Sequence, residues 1–142
     1  GDVQNATAIW LGPGLEGAGV AIDTAYNYYD ADAIAAGIAD SGRTRGSIWL
    51  TTKVPCSSKE SARVHFEEQL AALEVSYVDL ALIHWPTGCS DDEIYETWCA
   101  LEDALSANQT RAIGISNFNE THLDHLAAHE PRMWPPAVNQ VE

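Results

Sequence analysis

The stretch Val20-Ala-Ile-Asp-Thr-Ala-Tyr-Asn-Tyr-Tyr29 decides how the chain is read. It opens on Val20-Ala21-Ile22, short, apolar and rich in β-branched residues, as expected of a buried strand. The strand delivers a carboxylate, Asp23, and five residues later a phenol, Tyr28, on the following turn. Burying an acid at a strand end without partners is costly. Taken alone, the pair also fits a turn-capping Asp and a half-buried Tyr. The rest of the chain argues against that plainer reading, because it repeats the pattern of a strand ending in polar groups.

Outward from this stretch, Ala31–Asp40 places Ile34 and Ile38 on one helical face and stops at Ser41-Gly42. Ile48–Val54 is a second strand, closed by Pro55, and Ser57 with Glu60 offers a capping box for a helix carrying Val64, Leu70 and Leu73. Tyr77–His84 is a third strand, apolar enough to be covered on both faces. Ser90 and Glu93 form a second capping box, ahead of Ile94, Trp98, Leu101 and Leu105 at helical spacing. Arg111–Ser116 is a fourth strand, Asn119–His129 a helix stopped by Pro131, and Ala137–Val141 a fifth strand. On the other side of the opening stretch, Ala6–Leu11 can form a helix before Gly12-Pro13-Gly14 interrupts it, and Leu15–Gly19 is too short to assign. Trp98 and Trp49 are expected in the core and Trp134 in loop packing.

Strands starting near 20, 48, 78, 111 and 137, separated by helical sequence, imply right-handed crossovers and a parallel sheet. Period alone does not separate a barrel from an open doubly wound sheet. The absence of Gly-x-Gly-x-x-Gly after any strand weighs against a dinucleotide-binding open sheet.

Composition bounds the function. A chain of 142 residues that is 46% hydrophobic can bury the core of about one domain. A net charge of −14 disfavours nucleic acid and anionic membrane surfaces, and no apolar run approaches the ~20 residues of a membrane span. Cys56, Cys89 and Cys99 are odd in number and lack CxxC spacing, so they read as reduced thiols of a cytoplasmic protein. Sequons at Asn5, Asn108 and Asn119 keep a secreted origin open. His122, His125 and His129 share a predicted helix, but no Cys or second carboxylate joins them at ligand spacing, so no metal is expected.

Each strand ends in polar groups: Asp23 and Tyr28, Lys53, His84, Ser116 and Asn117, Gln140. In parallel α/β folds that edge binds ligands. An isolated phenol titrates near pH 10, too high for efficient proton donation at neutrality, and a neighbouring ammonium favours the phenolate. Lys53 can supply that ammonium with Asp23 holding it, and a neutral His84 can orient a carbonyl oxygen by hydrogen bonding. This is the proton-donating half of a carbonyl reduction. No side chain supplies a hydride, so a nicotinamide is implied, and Ser116, Asn117 and Gln140 offer partners for its carboxamide.

The motifs DTAYNY, TTKV, LIHWP, RAIGISNF and PAVNQVE, in this order and spacing over residues 15–142, resemble the aldo-keto reductase family of NADPH-dependent (β/α)8-barrel enzymes. The resemblance implies a partial (β/α)8 TIM barrel with parallel strands, about strands 2 to 6 of the family barrel. Residues 1–142 are then a single domain, incomplete at the C-terminus and at the N-terminus. It implies Asp23, Tyr28, Lys53 and His84 as catalytic residues, with Tyr28 the proton donor. Asp23, Ser116, Asn117 and Gln140 would bind the cofactor, NADPH; Tyr28, His84 and Trp85 would line the pocket for a small aldehyde or ketone. Two departures stand out: Tyr29-Asp30-Ala31 replaces the family's Gly-Asn-Glu, and the last two strands with the basic loop for the 2′-phosphate lie outside the chain. Five strands also leave two free edges, a route to self-association. The alternative is an inactive fragment or a cofactor-sensing regulatory module of the same fold.

Overall fold

The computed structural model describes residues 1–12 and 19–141. It contains helix α1 (Asp2–Trp10), strand β1 (Val20–Asp23), α2 (Ala31–Ser41), β2 (Ile48–Val54), α3 (Lys59–Ala72), β3 (Leu80–Ile83), α4 (Asp91–Ser106), β4 (Ile113–Ser116), α5 (Glu120–Ala128) and β5 (Asn139–Gln140). Single 3-10 turns at Tyr26–Tyr28 and Arg45–Ser47 precede α2 and β2. The five strands form one sheet in the order β1-β2-β3-β4-β5, and every neighbouring pair is parallel.

Side chains alternate across a strand, so the register sorts the sheet into two faces. Leu50 and Val54 of β2, Ala81 and Ile83 of β3, and Ile113 and Ile115 of β4 share one face. They pack with Phe66 and Leu70 of α3 and with Ile94, Trp98 and Leu101 of α4 in a single apolar cluster. Thr51 and Lys53, Leu82, Gly114 and Ser116 occupy the other face, in register with Asp23 on one side and Gln140 on the other. That second face is concave. In a flat sheet, strands four places apart lie ~19 Å from each other. Here the Gln140 side chain on β5 donates a hydrogen bond to Asp23 on β1 at 3.0 Å. The sheet is curled into a half-barrel, which resolves the choice between barrel and open sheet.

Local signals account for most boundaries. Gly42 ends α2 with φ 68°, a left-handed conformation that glycine adopts at little cost. Ser90 and Glu93 make the expected reciprocal cap on α4. The cap on α3 falls one residue later than Ser57 and Glu60 suggest: Ser58 accepts from the Ser61 amide, because the Ser57 amide donates instead to Thr97 Oγ1 at 2.9 Å. Strands β3, β4 and β5 are shorter than the runs Tyr77–His84, Arg111–Ser116 and Ala137–Val141, although flanking residues still pair: the Ala137 amide donates to the Ile113 carbonyl and the Ile115 amide to the Val138 carbonyl. At the start of the third run, Val78 retains a lone parallel bridge to Thr110. Helix α1 starts four residues before Ala6. Most of the Gly12-Pro13-Gly14 interruption lies outside the described residues.

Two core expectations change. Trp98 is fully buried, but Trp49 is 47% exposed because residue 49 falls on the concave face with Thr51, to which its indole N–H donates. Val64 is only half-buried, and Phe66 takes the inward position on α3.

The cysteines also differ from expectation. Cys56 and Cys89 form a disulfide, and only Cys99 is a free thiol. The physical reason is the sheet itself. Cys56 follows the end of β2 and Cys89 lies beyond the end of β3; because these strands are parallel neighbours, both residues reach the same edge, with Cα atoms 6.4 Å apart. Closing a loop of 33 residues' separation restricts the unfolded chain, worth about 3–4 kcal/mol on a chain-entropy account.

Candidate active site at the C-terminal sheet edge

The polar strand ends converge on the concave face. Lys53, 4% exposed, forms an ion pair with Asp23 and also donates to the Thr24 carbonyl at 3.2 Å. An ammonium this deeply buried requires such partners. The second Asp23 oxygen accepts from Gln140 Nε2, so one carboxylate bridges β2 and β5. Thr24 is fixed in turn by a 2.6 Å hydrogen bond from its hydroxyl to Asp30.

Tyr28 sits at the end of the 3-10 turn after β1, 44% exposed. Its ring lies edge-on to the His84 imidazole with centroids 5.5 Å apart, and Lys53 Nζ is 5.2 Å from its centroid. His84 directly follows β3, where its amide donates to the Val54 carbonyl, and it is 7% exposed. Trp85 stands beside it with ring centroids 6.2 Å apart, half in solvent. Phenol, ammonium, carboxylate and imidazole therefore share one end of the sheet. A half-exposed phenol beside a buried cation and a buried imidazole has the chemistry that a general acid needs.

On the far side, the Ser116 hydroxyl donates to the Gln140 carbonyl at 2.8 Å and accepts from Asn117 Nδ2 at 2.9 Å. Asn117 has φ 62°, which turns its amide back toward Ser116 and the His84 carbonyl. The Gln140 amide oxygen is buried with no hydrogen-bond partner among the described residues. An unpaired buried acceptor beside a hydroxyl and a second amide suits a ligand that brings N–H groups, as a carboxamide does.

The loops after β2 and β3 add a component absent from the sequence reading. A cavity of about 170 Å³ is lined by Asn27, Cys56, His84, Trp85 and Cys89 among others. The cystine is thus part of the wall next to His84. The signal was available: both cysteines follow the C-terminal ends of neighbouring parallel strands, the same positional rule that selects Lys53 and His84. A larger cavity of about 350 Å³, between Tyr77, Leu105, Thr110 and Arg111, opens at the opposite edge. Arg111, which lines it, pairs with Asp79 at 3.0 Å.

The three helical histidines are engaged separately. His122 Nδ1 accepts from the Asn119 amide, His125 pairs with Asp91 at 2.8 Å, and His129 stacks on Tyr95. No cluster of three metal-ligating residues occurs among the described residues, and no helix there is long and apolar enough to cross a membrane.

Comparison with known proteins bears on the family. Residues 15–142 match the family model described as the aldo/keto reductase family. The chain belongs to the aldo-keto reductase family. It is 41% identical over 123 residues to the 9,11-endoperoxide prostaglandin H2 reductase of Trypanosoma cruzi, covering 85% of this chain and 42% of that protein. It is 39% identical to the glyoxal reductase of Bacillus subtilis, with 85% and 43% covered. An aldo-keto reductase structure from Brucella melitensis superposes with a TM-score of 0.88 at 33% identity, over 99% of this chain and 53% of that one. The Bombyx mori enzyme, solved in complex with NADP, gives 0.80 at 29% identity, over 99% and 48%. The chain spans less than half the length of these curated relatives, and its half-barrel corresponds to about half of their barrels.

Proposed function

We propose that the chain carries the proton-donating half of an NADPH-dependent aldehyde or ketone reductase, within the one domain of which residues 1–142 form part. The observation that carries this reading is the meeting of Tyr28, Lys53, Asp23 and His84 at the C-terminal edge of one sheet. In this reading Tyr28 delivers the phenolic proton to the carbonyl oxygen as that oxygen gains negative charge. Lys53 stabilises the phenolate left behind, and Asp23 fixes Lys53 in place. His84 hydrogen-bonds the same oxygen and aims it at Tyr28, while Trp85 packs against the organic part of the substrate. A bound nicotinamide supplies the hydride. Ser116, Asn117, Gln140 and Asp23 would hold it, and the unpaired Gln140 acceptor supports that assignment.

The test is reduction of an aromatic aldehyde with NADPH by the wild-type chain and by Tyr28→Phe. General acid catalysis contributes ~10²–10⁴-fold, so turnover in Tyr28→Phe falls by about that factor while its fold is unchanged. Equal turnover in the two proteins removes Tyr28 from the mechanism. NADPH binding without turnover in either favours the cofactor-sensing alternative.

A further inference from the structure

We propose that the Cys56–Cys89 cystine is a specificity-determining wall of the carbonyl pocket, holding it to compact substrates while oxidised. The inference rests on the reductase reading of that site. Three observations carry it. First, both cysteines line the same cavity of about 170 Å³ as His84 and Trp85, so the cystine and the imidazole border one space. That volume is well below the ~300–1,000 Å³ of sites that enclose drug-sized ligands. Second, the cystine joins two loops that both line the cavity, one through Pro55 and Cys56, the other through Trp85, Thr87 and Cys89. The loop after β2 is anchored at its far side, where the Ser57 amide and carbonyl both bond the Thr97 hydroxyl of α4, at 2.9 and 2.7 Å. The loop after β3 turns through Gly88, at φ 87°, with the Cys89 amide donating to the Pro86 carbonyl. Trp85 and Thr87 between these points are exposed. The cystine ties the more exposed loop to the anchored one and sets the width of the rim. Third, both cysteines are half-buried, so a thiol reductant can reach them.

The chemistry balances with a dithiol as reductant. Two electrons and two protons pass to the cystine, its S–S bond breaks to give two thiols, and the reductant closes to its own disulfide. Freed of the tie, the loop bearing Trp85 and Thr87 can move away from Cys56 and admit bulkier carbonyls.

The experiment uses the chain in a Cys99→Ser background, so that only this pair responds to reduction. Alkylation and mass measurement establish the redox state. The ratio of kcat/KM for a bulky bicyclic aldehyde to that for a three-carbon aldehyde is then compared between the oxidised protein, the reduced protein and Cys89→Ser. Dissociation constants of the two aldehydes, from tryptophan fluorescence, read the same preference without turnover. The ratio is expected to rise about tenfold on reduction and in Cys89→Ser, the scale on which pocket shape discriminates substrates. A ratio that does not move by either readout overturns the proposal, as does failure of both aldehydes to bind in either state. A shift in binding preference without turnover upholds the wall and refutes the reductase reading. Should reduction unfold the chain, Thr87→Trp in the oxidised protein narrows the same rim. It must lower acceptance of the bulky aldehyde and spare the small one, and an unchanged ratio there overturns the proposal too.

Discussion

The two ends of the same sheet each gather a buried charge, and they treat it in opposite ways. At the N-terminal edge, Asp79 is 2% exposed and satisfied on every side. It pairs with Arg45 at 2.6 Å and Arg111 at 3.0 Å and accepts from the Leu50 amide at 2.9 Å. Both guanidinium groups lie over the Tyr77 ring, and Arg45 also donates to the Tyr77 and Ile48 carbonyls. At the C-terminal edge, Lys53 is as deeply buried, yet its surroundings remain open: a half-exposed phenol, a cavity beside His84, and a Gln140 acceptor with no partner among the described residues. A closed network stabilises the fold. An open one keeps capacity for a ligand, which is the division between the two edges of parallel barrels.

The largest expected effect tests the closed end. Asp79→Ala leaves the Leu50 amide and the Arg45 guanidinium without their shared acceptor. Removing one partner of a buried pair costs about 3–5 kcal/mol, to be read from urea unfolding, and turnover per folded molecule should be unchanged. Tyr28→Phe should do the reverse, moving stability by less than about 0.5 kcal/mol as half-exposed sites do. An unchanged midpoint for Asp79→Ala, or a large stability loss for Tyr28→Phe, breaks the contrast between the ends.

A smaller effect sharpens it, by asking how far the open end depends on β5. A Cβ at Gly114 would lie 2.7 Å from the Val138 carbonyl oxygen and 2.9 Å from Leu82 Cδ2. Glycine is required there because the backbone of the last segment passes directly over β4. Gly114→Ala should destabilise the fold by about 1–3 kcal/mol, the usual cost of overpacking. It should also displace the segment that carries Gln140 toward Asp23. Hydrogen exchange at the Ile115 amide, bonded to the Val138 carbonyl at 3.0 Å, reports that displacement. Unchanged protection would mean that β5 yields without loss.

Much of this contrast was legible in the sequence, for reasons that also explain what was not. The parallel sheet followed from the regular alternation of apolar runs with capped helices, and the positions of Lys53, His84 and Ser116 followed from strand ends. Trp49 was misplaced because Ile48–Val54 carries no clean period-2 signal, so residue type alone cannot choose a face. Pairing β2 with β3 shows that residue 49 shares the concave face with Lys53. The cystine was missed on count and spacing, although its geometry follows from the same strand-end argument that found His84. Nothing in the sequence joins Arg45 and Arg111 to Asp79; only the fold brings them together.

The smallest expected effect concerns charges at neither end. Asp103 of α4 pairs with Lys59 of α3 and with Arg132, beyond α5, at 2.6 Å each, and the Lys59 hydrogen bond, followed by that of Arg132, holds its carboxyl below the usual carboxylate range. A lowered folded-state value means that the stabilisation is complete above the unfolded value near 3.8 and is lost as pH falls through the lower folded one. Asp103→Asn should therefore cost stability at neutral pH and cost nothing once the pH is well below 3.8. The side chain is 46% exposed and Lys59 is 50% exposed, so solvent screens the pair and the difference at neutrality stays within about 0–1 kcal/mol. Urea unfolding of both proteins at neutral and acid pH reads it, and 0.5 M salt should shrink it further. The acid Asp103 and the buried Asp79 each hold two cations, and their predicted costs differ severalfold. Burial, and not the number of partners, sets which charge stabilises the barrel. A loss at Asp103 as large as that at Asp79 would overturn that account.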